Sequence, residues 1–173
     1  FGWQREALNL FARHWQTGAP LPDELFARMQ AARHFHAGLF LVRQLELALF
    51  DFRLHLEYDP ARGARTLELL AEVRSEVAVF LPPPWQRMPH SFGHIFAGGY
   101  AAGYYSYLWA EVLAADAYAA FEETGIFNRT TGQRFMDTIL GQGGSREAME
   151  LFVEFRGREP TLDAFLKLNG IAA

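Results

Sequence analysis

The chain has no cysteine, which removes disulfides, thiolate ligands and thiol nucleophiles from consideration and is compatible with the cytosol. No apolar run approaches the roughly 18 residues a membrane helix needs, and no basic segment precedes a short apolar one, so neither a membrane span nor a signal peptide is expected. Positive charge is not in excess: 16 Lys and Arg against 20 Asp and Glu leave a formal charge of -4. That balance argues against a nucleic-acid or anionic-membrane partner. None of the six histidines is followed by glutamate, so the helix-borne His-Glu-x-x-His zinc motif is missing. His90 and His94 have the i,i+4 spacing of two ligands, yet Ser91 stands where the glutamate would be, and no metal ligand is assigned. There is no convincing strand pattern, internal repeat or low-complexity segment, and the first residue is Phe1, not methionine.

What is present is a core. Half of the 173 residues are hydrophobic and 15% are aromatic, which excludes a disordered chain; a chain of this length buries about 70% of its extended surface. The spacing of apolar residues predicts helices over Trp3 to Gln16, Asp23 to Ala32, Phe35 to Glu57 and Ala61 to Phe80, the last opened by Asp59 with Pro60 at its first position. Leu81-Pro82-Pro83-Pro84-Trp85 is a stiff connector and the only candidate seam; no clear domain boundary is expected. Further helices are expected from an Asn128 or Thr130 cap to Leu140, from a Ser145 cap through Arg146 to Phe155, and from Pro160 to Gly170.

Between the connector and these lies Met88 to Val112, MPHSFGHIFAGGYAAGYYSYLWAEV. Between Pro89 and Gly99 the chain is too irregular to assign, with a short strand or extended turn over residues 91 to 97 as one option. A long helix from about 99 to 123 then places Tyr100, Tyr104, Tyr107 and Glu111 on one stripe, because at about 100° per residue they share a sector of roughly 60°. With small residues on one flank and apolar ones on the other, this helix is expected to be buried. Buried phenols need partners or a cavity, and Gly98 with Gly99 lets another group approach the main chain. That combination suits a site gripping a peptide-like or carbonyl-bearing ligand. Packing alone accounts for such a stripe too.

The run from His94 to Val112 resembles the C-terminal catalytic segment of the thimet oligopeptidase family of zinc metallopeptidases. The likeness extends to Arg33 to Phe52 (RHFHAGLFLVRQLELALFDF), Thr131 to Phe135 (TGQRF), Ile139 to Ser145 (ILGQGGS) and Phe155 to Pro160 (FRGREP), in family order over essentially the whole chain. Bacterial members are the most similar. The resemblance implies an all-α segment, residues 1 to 173, forming the C-terminal part of a larger zinc peptidase catalytic domain, with the zinc-binding motif upstream. It implies zinc in the full-length protein, none in this chain, and no turnover by the segment alone. By the same likeness Tyr107 matches the tyrosine that stabilises the tetrahedral intermediate, Tyr100 one that contacts substrate beside it, and His94 a histidine that hydrogen-bonds the substrate backbone. Gly98 and Gly99 match a loop that closes over the peptide, and Tyr104 is a further candidate for that lining. The implied partners are short peptide substrates and the remainder of the parent peptidase, in the cytoplasm. An exposed apolar patch near the tyrosines, and self-association through it, would follow from the missing part. The alternative is a noncatalytic helical interaction module that binds through its aromatic face and has no use for His94 and the phenols in register.

Overall fold

Eight α-helices, joined by turns, carry the chain in the computed structural model, which describes residues 1 to 171. They are α1 (Arg5–Phe11), α2 (Asp23–Arg33), α3 (Ala37–Leu56), α4 (Thr66–Val77), α5 (Ser106–Thr124), α6 (Arg129–Phe135), α7 (Ala148–Arg156) and α8 (Asp163–Leu168). The expected all-α class holds: among the described residues the β pairing is an isolated bridge between Arg13 and Pro20. None of these helices is long and apolar enough to cross a membrane.

Local chemistry explains where the helices differ from expectation. α1 ends at Phe11, not Gln16, because the His14 ring accepts from the backbone N–H groups of Gln16 and Thr17 and turns the chain back. Asp59 does accept from Ala61 N–H, but the turn it opens stops at Arg62, and α4 starts only at Thr66. Asn128 caps α6 as anticipated by accepting from Thr131 N–H; the helix then widens into a π turn over Met136–Leu140. Ser145 caps nothing: its hydroxyl donates to Gln142, and α7 begins at Ala148. The last helix starts at Asp163 and not at Pro160, since Thr161 N–H is committed to the Asp116 carboxylate.

The chain divides into two compact units, Phe1–Ala37 with Asp116–Ala173, and Gly38–Ala115. The proline connector lies inside the second unit, so it is not the seam.

In the unit that includes both ends of the chain, Ala120, Phe121 and Phe155 form a buried cluster with Phe135 and Ile139 against it. Beside it Asp116, fully buried, receives Arg158 at 2.6 and 2.7 Å, Arg156 at 3.1 Å and Thr161 N–H at 2.9 Å. A buried charge needs that many donors, and they fix the Arg156-Gly157-Arg158 turn.

The unit Gly38–Ala115 is built on Phe50, Leu69, Leu70, Val73 and Ile95, with Leu49, Met88, Phe92 and Tyr104 packed around them. Its buried ion pair is Glu46 with Arg74, at 2.8 Å, and Arg74 also donates to Gln86 at 2.6 Å. Through Ile95, Phe92 and Tyr104 this core reaches the glycine and tyrosine stretch and holds it in place.

Candidate functional site

All six residues singled out from sequence fall within the unit Gly38–Ala115. His94 sits in a short 3-10 turn, Gly93–Ile95, preceded by another, Met88–Ser91. The strand or extended turn considered for residues 91 to 97 is therefore not formed. One carbonyl explains the curl: Gly93 O accepts from the N–H groups of Phe96, Ala97 and Gly98, at 3.2, 2.8 and 2.9 Å. Ile95, fully buried, anchors the turn while His94 stays exposed.

The two glycines answer separate demands. A Cβ at Gly98 would stand 2.8 Å from His94 Cα and 3.0 Å from His94 O, so the main chain there packs directly on the histidine turn. At Gly99 there is open space, but φ is +81°, a region side-chain-bearing residues avoid. The group that comes close to Gly98 is thus this chain's own backbone. Both glycines are exposed.

The tyrosines do not meet by helical spacing. α5 begins at Ser106, so the expected helix from about 99 loses its first turns, and Tyr100 and Tyr104 lie in an irregular turn before it. Ala102 in that turn has φ +53°, which costs a non-glycine residue about 1 to 2 kcal/mol. Nor is the start of α5 buried: Trp109 is 48% exposed, Tyr107 is 38% exposed, and Glu111 is exposed. Phe96 and Tyr105 are exposed nearby, so apolar surface does border the tyrosines.

Even so, the rings converge. Tyr100 stacks on Tyr107 with centroids 4.9 Å apart, Tyr104 lies 5.1 Å from Tyr107, and the His94 ring lies 6.2 Å from Tyr100 and 6.3 Å from Tyr104. Phe92 closes the back, 5.5 Å from His94 and 5.2 Å from Tyr104. Tyr104 faces inward: its hydroxyl donates to Gln44 at 2.9 Å, and burial pushes its phenol above the ordinary range. The Tyr107 phenol is also raised, first by the Tyr100 hydroxyl beside it and then by loss of water. It is therefore neutral at physiological pH and able to donate a hydrogen bond.

Two contributors were not legible. Gln44 and Asp51 lie on one face of α3, seven residues apart. Asp51 is fully buried; its two carboxylate oxygens accept from Ala102 N–H and Tyr104 N–H, each at 2.9 Å. His55, one turn on, places Nδ1 3.0 Å from the same carboxylate. The available signal was an acid flanked by Phe50 and Phe52 in the second half of α3.

The arrangement offers a neutral phenol at an exposed position, a second phenol against it, an imidazole and a glycine turn. Such a surface can orient an amide and donate to its oxygen. Among the described residues no three His, Asp or Glu side chains converge as metal ligands.

This all-α chain, with its histidine turn, glycine pair and tyrosine cluster, belongs to peptidase family M3, whose family model matches residues 1–171. It is 62% identical to oligopeptidase A of Salmonella typhimurium over 98% of this chain and 25% of that protein. It is 46% identical to the organellar oligopeptidase A of Arabidopsis thaliana, over 99% of this chain and 22% of that protein. Against the dipeptidyl carboxypeptidase of Escherichia coli it is 39% identical over 93% of this chain and 24% of the relative. The chain thus spans about a quarter of the length of the curated relatives it matches.

Proposed function

We propose that this chain is the substrate-binding and transition-state-stabilising part of a zinc-dependent oligopeptidase of the oligopeptidase A kind, acting on short peptides in the cytoplasm. The observation that carries the reading is the convergence of His94, Tyr100 and Tyr107, from a 3-10 turn, an irregular turn and a helix, on one accessible cluster. Packing alone does not require that an exposed phenol be stacked on another beside an exposed imidazole. The same convergence favours this reading over a noncatalytic helical module.

The zinc ligands belong to residues outside this chain, and the metal supplies Lewis acidity when bound. This chain's residues do the rest. Tyr107, kept protonated, donates to the carbonyl oxygen of the scissile amide as negative charge develops there, a role worth about 10²- to 10³-fold in turnover. Tyr100 lies against it and contacts the substrate beside that oxygen. The His94 ring hydrogen-bonds the substrate main chain. The Gly98-Gly99 turn, exposed and without side chains, lets the peptide pass close, and the Tyr104 ring forms the wall behind. The remainder of the parent covers the apolar residues around the tyrosines; without it, the segment self-associates there.

The test is hydrolysis of short peptides by the full-length parent and by its His94→Ala variant. Loss of one hydrogen bond to the peptide main chain is expected to lower kcat/KM about 10- to 100-fold. A parent that cleaves no short peptide, or a variant with unchanged kcat/KM on all of them, contradicts the reading.

A further inference from the structure

We infer that Asp51 is a positioning residue for the reaction: from the middle of α3, its buried carboxylate fixes the turn that sets the Tyr100 and Tyr107 phenols against each other. This rests on the role proposed for Tyr107. The turn from Tyr100 to Tyr105 is not helical, and it passes through Ala102 at a positive φ that the residue does not favour. Its own hydrogen bonds are Gly103 N–H to Tyr100 O at 2.8 Å, then Ser106 N–H to Gly103 O at 3.0 Å and Tyr107 N–H to Tyr104 O at 3.2 Å. Those bonds leave the N–H groups of Ala102 and Tyr104 without backbone acceptors. Asp51 supplies both acceptors, one oxygen to each.

The N–H groups it binds belong to residues four and two positions before α5, so the carboxylate fixes the approach of the chain to that helix. The two N–H donors and the buried setting hold the Asp51 carboxylate in one orientation, while His55 Nδ1 bonds the Asp51 main-chain carbonyl at 2.9 Å and lies 3.0 Å from the carboxylate. Asp51 touches none of the reacting atoms; it works through the backbone between two rings that do. A donor displaced by an ångström loses much of its effect on an oxyanion.

The experiment is a double-mutant cycle in the full-length parent with Asp51→Asn and Tyr107→Phe, measuring kcat and KM on one short peptide alongside thermal unfolding and zinc content. Asparagine keeps the shape but turns an N–H donor toward one of the two backbone donors. Asp51→Asn is expected to lower kcat about 10- to 100-fold with KM changed less than about threefold. In the double variant kcat should fall no more than about threefold below that of Tyr107→Phe alone, because Asp51 acts through Tyr107. An unchanged kcat in Asp51→Asn, or losses that multiply, overturns the inference while leaving the role of Tyr107 standing. If Tyr107→Phe itself keeps full kcat, the underlying reading fails and the inference with it. Should Asp51→Asn not fold, Ala102→Val carries the test, since a β-branched residue resists positive φ: the same loss in kcat supports the inference, and normal kcat overturns it.

Discussion

Gly98 and His94 are in backbone contact: a Cβ on Gly98 would lie 2.8 Å from His94 Cα. Gly98→Ala must therefore push apart the two main-chain segments that frame the site, whereas Gly99→Ala meets open space and only the strain of φ +81°. The first is expected to destabilise the protein by about 2 to 4 kcal/mol and the second by about 1 kcal/mol. Denaturant unfolding of both variants checks this. Equal effects would show that the close approach is relieved by a small backbone shift.

Tyr104 separates from its neighbours in the same way. Its hydroxyl already donates to Gln44, so Tyr104→Phe should cost about 1 kcal/mol of stability and leave kcat within about threefold of the parent. A fall in kcat comparable to that expected for Tyr107→Phe would mean that the Tyr104 hydroxyl reaches the substrate.

The all-helical class, the Asn128 cap and the grouping of His94 with the tyrosines were legible because each rests on residues near one another in sequence. The path by which Tyr100 reaches Tyr107 was not. Helical spacing predicts a shared stripe, but the rings stack because an irregular turn bends back at Ala102, and that turn is held by Asp51, more than fifty residues away. The delayed start of the last helix has the same origin, since Thr161 N–H answers to Asp116, 45 residues earlier. In both places a buried carboxylate overrides local propensity, and a sequence window does not contain the carboxylate.

Asp116 gives a pH-dependent prediction. Burial by itself would raise its carboxyl, but the Arg158 hydrogen bonds, Thr161 N–H and the charges of Arg158 and Arg156 outweigh that and hold it below the usual carboxylate range. A depressed folded-state pKa contributes stability that is fully present above the unfolded value near 3.9 and is lost as pH falls through the folded value. Asp116→Asn should destabilise the full-length parent by about 2 to 4 kcal/mol at pH 7. The gap between variant and parent should narrow below about pH 4. Unfolding measured across that range checks it, and a constant gap would contradict the assignment.

The account depends most on the Tyr107 hydroxyl. Steady-state hydrolysis of a short peptide by the full-length parent and its Tyr107→Phe variant, folded and zinc-loaded alike, should show kcat about 10²- to 10³-fold lower with KM little changed. A variant with the parent's kcat would contradict the role given to the tyrosine cluster.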